Sequence, residues 1–175
     1  MLKLLKELGV PTFSADEEVH RLSWPCQPGY HQILKRLGAR FLKPNGELDR
    51  RALLEAMLKD PKIKNTLEDI YHPLVKERLF SWFEKHQNEE IIAAEIPLLY
   101  QAGWDKFFDK VIFVKCSPQI LEKRLLKRLQ DKELCQKLLA SYQVSPRKKD
   151  YLIDSSHTLE EIRKKLLDLI KDRIP

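Results

Sequence analysis

The run Ile91-Ile92-Ala93-Ala94-Glu95-Ile96-Pro97-Leu98-Leu99-Tyr100 narrows what this chain can fold into more than any other stretch. Polar and charged residues from Glu84 to Glu89 precede it, and a second apolar run, Val111-Ile112-Phe113-Val114, follows. A short continuous apolar run bounded by turn signals reads as a strand buried on both faces, the pattern of a parallel sheet. Its one charge, Glu95, falls near the carboxyl end, where open parallel sheets bind their ligands. Pro97 has no N–H to give to a ladder and ends the strand there. The expectation is an α/β protein with an acid at the ligand-binding end of its sheet.

The rest of the chain supplies the other elements. Leu2, Leu5 and Leu8 share the face of a helix over 1–8 that Gly9 stops. Residues 10–14 form a short strand, and Asp16 can cap a helix over 16–23. Trp24-Pro25 breaks that helix, and residues 28–37 form another that ends at Gly38. Pro44-Asn45-Gly46-Glu47 is a turn. Asp49 caps a helix through Leu58, and 61–86 is a long helical stretch that Pro73 should kink near His72. Residues 17–90 are thus too long for an ordinary crossover and read as a helical lobe beside the sheet. After the strands at 91–97 and 111–115, Ser117-Pro118 opens a helix with Leu121, Leu125 and Leu129 on its apolar face. A helix over 132–142, a basic loop at 145–149 and a strand at 151–154 follow. Thr158 and Glu161 make a capping box for a last helix, with Leu159, Ile162, Leu166 and Ile170 on its core face. Strands separated by helices imply a parallel sheet.

The 175 residues suit one domain. A formal net charge of +6 favours an anionic partner such as a nucleotide, a nucleic acid or a phosphorylated metabolite. The basic residues are not interleaved with aromatics as in single-strand binders, so no nucleic-acid partner is expected. Cys26, Cys116 and Cys135 are far apart and lack metal-type spacing, which reads as free thiols in a reducing cytoplasm. No apolar stretch approaches a membrane span, so no membrane partner is expected. Trp24, Trp82 and Trp104 are expected in core packing.

Six motifs occur in order: Thr12-Phe13-Ser14-Ala15-Asp16; Leu48-Asp49-Arg50-Arg51-Ala52-Leu53; Leu67-Glu68 with Ile70 and His72-Pro73; Ile96-Pro97-Leu98-Leu99; Ser117-Pro118 with Arg124 and Arg128; and Leu152-Ile153-Asp154. Together they resemble the dephospho-CoA kinases, a P-loop kinase family. The resemblance implies transfer of phosphate from ATP, with Mg²⁺, to the ribose 3′-hydroxyl of dephospho-CoA, the last step of coenzyme A synthesis. It implies a single kinase-like domain over 1–175, with a substrate lobe at about 17–90 and a lid at about 117–150. Family members begin with a strand and a G-x-x-x-x-G-K-S/T loop ahead of the helix matched by residues 1–8, and no such motif occurs in these 175 residues. The implied strand order is 10–14, 91–97, that further strand, 111–115, then 151–154, so the 91–97 and 111–115 strands should not pair with each other. Without the loop's backbone N–H groups and lysine, ATP anchoring by these residues alone is expected to be weak. A kinase-like scaffold that only binds a CoA-like anion is the alternative.

The resemblance also assigns roles. Asp16 matches the proposed base that orients and deprotonates the attacking hydroxyl; the plainer reading is a helix cap. Glu95 sits where such kinases carry an acid for Mg²⁺ or its water; a buried acid paired with a lysine is the other reading. Arg50 matches an arginine of the substrate lobe, and a cation in a helix's first turn is unfavourable unless it meets an anion; His72 is a substrate-site candidate in the same lobe, with a satisfied structural histidine as the plainer reading. Arg124 and Arg128, one turn apart, suit nucleotide contacts, and Arg147 would act from the lid on the transferred phosphoryl. For Lys123 and Lys127 a solvated face suffices.

Overall fold

The structure, a computed structural model, describes residues 1–141, 145–148 and 150–171. It divides into two compact units, Met1–Leu98 and Leu99–Pro175.

The first unit opens with α1 (Leu2–Glu7), which ends where Gly9 takes a left-handed φ of 81°. β1 (Thr12–Ser14) follows and runs directly into α2 (Ala15–Leu22). Helices α3 (Pro28–Leu37), α4 (Arg50–Lys59) and α5 (Pro61–Lys85) then build the expected helical lobe before β2 (Ala93–Glu95). The punctuation matches the sequence reading. Gly38 ends α3 at φ 79°. The Asp49 carboxylate accepts from the N–H groups of Arg51 and Ala52 at 3.1 and 3.0 Å. Asp60 does the same for Lys62 at 2.8 Å, with Pro61 at the first helical position. Helix α5 continues through Pro73.

The lobe's core is Ile33, Phe41, Leu48, Leu53, Leu67 and Ile70, drawn from α3, α4, α5 and the turn between α3 and α4. Ile33 is wholly removed from water, and burial of a side chain that size contributes about 2–3 kcal/mol. Phe13 of β1 meets Trp82 of α5 with ring centroids 5.6 Å apart, which ties the strand to the lobe. At the junction of α2, α3 and α5, Ser23 donates to the Val19 carbonyl at 2.6 Å and lies 2.5 Å from the Tyr71 hydroxyl. Burial raises the Tyr71 pKa.

β1 and β2 pair in parallel, with Thr12 opposite Ala93, Phe13 opposite Ala94 and Ser14 opposite Glu95. β2 is shorter than the expected 91–97 strand. It is also not buried on both faces: Ile91 to Ala94 are half-buried and Glu95 is exposed. A strand whose ladder runs along one edge leaves its residues partly open to solvent.

The second unit holds β3 (Ile112–Lys115), α6 (Pro118–Leu129), α7 (Lys132–Ser141), β4 (Tyr151–Asp154) and α8 (Leu159–Lys171). β3 and β4 pair in parallel from Ile112–Tyr151 to Lys115–Asp154. Among the described residues β2 therefore pairs with β1 and β3 with β4, the two neighbour pairs that the implied strand order requires. Ile153, Ile162, Leu166, Leu134, Cys135 and Leu138 are buried. The Thr158–Glu161 capping box forms, with the Thr158 N–H donating to the Glu161 carboxylate at 2.9 Å and the Glu161 N–H to the Thr158 hydroxyl at 3.3 Å.

Several expectations fail here. Leu159 is 72% exposed because it begins α8, ahead of the turn that reaches the core. Helix α6 buries no residue, so the face of Leu121, Leu125 and Leu129 remains at least partly open. Trp104 is buried, but Trp24, in the turn after α2, is 53% exposed. The helix expected over 132–142 is described as Lys132–Ser141; Tyr142 of that helix and Lys149 of the expected basic loop lie outside the described residues.

Candidate functional site

In the first unit, two acids gather at the carboxyl ends of β1 and β2. Ser14 closes β1 directly opposite Glu95. Ser14 is also the cap of α2, its hydroxyl accepting from the Glu17 N–H at 3.4 Å. This corrects the sequence reading of Asp16 as a helix cap. A capping residue keeps extended backbone, and Ser14, at φ −122° and ψ 117°, has it, whereas Asp16 is already within the first helical turn. Asp16 is exposed, in the first turn of a helix whose amino end favours a carboxylate. Glu95 is likewise exposed, not a buried acid.

Glu95 offers one open carboxylate, and among the described residues no group of three or more His, Cys, Asp or Glu side chains is placed to hold a metal. That donor set does not make a resident metal cage. It fits Mg²⁺ carried in largely by phosphate oxygens and water, the usual mode for this ion.

Arg50 and His72 belong to the helical lobe. Arg50 is the exposed first residue of α4. Its charge acts on the Tyr71 hydroxyl, beside His72 in α5. Sequence reasoning singled out His72 and passed over Tyr71, whose 48-residue separation from Ser23 gives no linear signal.

The second unit carries the three arginines assigned to nucleotide. Arg124, on α6, donates to the Ser155 hydroxyl at 3.1 Å and to the Ser155 carbonyl at 2.8 Å. The same turn is fixed by the Asp154 carboxylate, which accepts from the Ser156 N–H at 2.9 Å, and by Ser156, which accepts from the Ser117 N–H at 3.1 Å. The Ser156 backbone N–H, then its side chain, and then Lys115 hold the Asp154 carboxyl below its usual range. Arg128, one turn on, is exposed. Arg147 lies with its guanidinium 3.9 Å above the Tyr100 ring centre and 2.5 Å from a carboxylate oxygen of Asp105. Its backbone N–H donates to Asp150 at 2.6 Å. The Tyr100 pKa is pushed up to about 12, first by burial of its hydroxyl and then by the neighbouring Asp150. The sequence reading assigns no site role to Tyr100 or Asp105.

The structure resembles that of a dephospho-CoA kinase from Campylobacter jejuni, with a TM-score of 0.64 over 98% of this chain and 88% of that one at 22% identity. A Thermus thermophilus protein matches with a TM-score of 0.72 at 24% identity, over 98% and 88% of the two chains. The fold is the α/β fold of the P-loop kinases, with the helical lobe in the first unit. The family model described as dephospho-CoA kinase matches residues 1–160. The chain is 31% identical over 166 residues to the dephospho-CoA kinase of Symbiobacterium thermophilum, covering 91% of this chain and 70% of that protein. It is 32% identical over 174 residues to that of Hydrogenovibrio crunogenus, covering 96% and 88%. The chain belongs to the dephospho-CoA kinase family, whose members are phosphotransferases. Among the described residues no helix is long and apolar enough to cross a membrane.

Proposed function

We propose that this protein phosphorylates the ribose 3′-hydroxyl of dephospho-CoA with ATP, in the cytoplasm. Family membership over residues 1–160 carries the reading. In it, Asp16 is the base. Its carboxylate is not used as the α2 cap, and it lies just past the end of β1, where it can accept the hydroxyl proton as the oxygen attacks. Arg50 and His72 bind the anionic substrate on a lobe formed by about 17–90. Arg124, Arg128 and Arg147 bind nucleotide on a lid region of about 117–150, with Arg147 facing the phosphoryl group in transfer. Mg²⁺ bound with ATP would neutralise charge on the transferring phosphates, and Glu95 would hold it, directly or through water.

The test is the protein expressed from its natural gene, given dephospho-CoA and MgATP, with coenzyme A followed by mass spectrometry. Coenzyme A should form in step with ADP, and Asp16→Asn should slow it by about 10² or more. Binding of dephospho-CoA without ATP-dependent turnover would instead favour a scaffold that only binds the anion.

A further inference from the structure

Arg147 does not project from its loop unsupported. The turn after β2 brings two side chains to it, both within the second unit. The Trp104 N–H donates to the Leu99 carbonyl at 3.0 Å and the Gly103 N–H to the Tyr100 carbonyl at 3.2 Å, which closes the turn. Gly103 takes a φ of 65°, a left-handed value that favours glycine. Trp104 is buried and anchors the turn. This places the Tyr100 ring under the guanidinium and the Asp105 carboxylate against one of its edges. The Asp105 side chain is only 15% exposed, whereas Arg147 is 47% exposed. The acid is largely buried, and much of the arginine faces solvent. From the other side, Asp150 accepts the Arg147 N–H, and the Asp150 N–H donates to the Arg147 carbonyl at 3.0 Å, so the backbone is pinned as well. Guanidinium presents five donors in a rigid plane. Among the described residues one of them is used, by Asp105.

We propose that Tyr100 and Asp105 are positioning residues that seat Arg147, fixing its plane and one edge so that its remaining donors face an anionic phosphate of the nucleotide. The inference rests on the nucleotide role of Arg147. Simple charge counting predicts the opposite effect for Asp105, because removing an acid beside a cation should strengthen the binding of an anion. Positioning predicts weaker binding, since an unseated arginine must be ordered each time the nucleotide binds.

The experiment measures ATP affinity of the protein expressed from its natural gene by calorimetry, together with the ring-current shift of the Arg147 side-chain protons by NMR. Arg147→Gln should weaken ATP binding about tenfold. Tyr100→Leu and Asp105→Ala should each weaken it roughly fivefold. Tyr100→Phe, which keeps the ring, should bind as the parent does, and Tyr100→Leu should cost nothing further in an Arg147→Gln background. The ring-current shift should be present in the parent and in Tyr100→Phe and absent in Tyr100→Leu. Unchanged or tighter ATP binding by Asp105→Ala, or a Tyr100→Leu variant that binds like the parent while Arg147→Gln does not, would overturn the seat and leave the nucleotide role of Arg147 standing. An Arg147→Gln variant that binds like the parent would overturn both.

Discussion

Replacing Gly29 by alanine tests the packing that holds α2, α3 and α5 together. In most helices this change stabilises, by up to about 1 kcal/mol, because alanine has the better helix propensity and fewer unfolded conformations. Here the added Cβ would lie 2.6 Å from the Leu22 carbonyl oxygen and 3.0 Å from a ring carbon of Tyr71. Neither neighbour can move cheaply. Leu22 is backbone at the end of α2, and the Tyr71 ring is tethered through its hydroxyl to Ser23, which is itself bonded to Val19. Overpacking of this kind costs about 1–3 kcal/mol, and near the helix start the propensity gain is at the low end, so the net loss should be about 1–2 kcal/mol. With a urea slope of about 2 kcal/mol per molar, the unfolding midpoint followed by circular dichroism should fall by about 0.5–1 M. Tyr71→Leu should not rescue it, because the shorter contact is to backbone. A midpoint equal to or above the parent's would refute the argument that α3 is locked against the end of α2.

Ser14→Ala should cost about 0.5–1 kcal/mol in the same assay, since the bond it removes is long, whereas Asp16→Asn, which loses only an exposed charge at the helix's amino end, should cost less, about 0.3 kcal/mol, and abolish most turnover. If the two stability effects were reversed, Asp16 would be the cap. Arg124→Ala should lower the midpoint modestly, by about 1 kcal/mol or less, through loss of two exposed bonds to Ser155, and Arg124→Lys should not restore the forked geometry; equal midpoints for parent and Arg124→Ala would contradict that anchoring. Glu161 has its carboxyl held below its ordinary 4.5, first by the Thr158 N–H and then by the Thr158 hydroxyl. A depressed folded pKa stabilises above the unfolded value and is lost as pH falls through the folded one. The midpoint difference between the parent and Glu161→Gln should therefore be constant above about pH 5 and shrink below about pH 4.5. A difference that widens on acidification would show that the capping carboxylate is not the titrating group.

Local rules written in the residues settled much of this protein before any packing was known. Gly9 and Gly38 stop helices, Asp49, Ser117 and Thr158 start them, and Pro28, Pro61 and Pro118 take the first helical position, because caps and φ restrictions act within four residues. Strands alternating with helices imply a parallel sheet, and six spaced motifs point to the kinase family, whose resemblance in turn implies the two parallel strand pairs. The plainer reading of Asp16, a cap, arises because Ser14 and Asp16 are both good capping residues, and only the extended backbone of Ser14 decides between them. Burial was harder to read still. Leu159 and Trp24 have core chemistry and surface positions, because what covers a side chain is set by elements distant in sequence. The partners of the candidate arginines were hidden for the same reason. Arg147 meets Asp105 across 42 residues and Arg124 meets Ser155 across 31, and no periodicity along the chain encodes those meetings. They exist because a closed turn after β2 and the parallel ladder of β3 with β4 bring those segments together, and a linear pattern cannot specify which side chains then face each other.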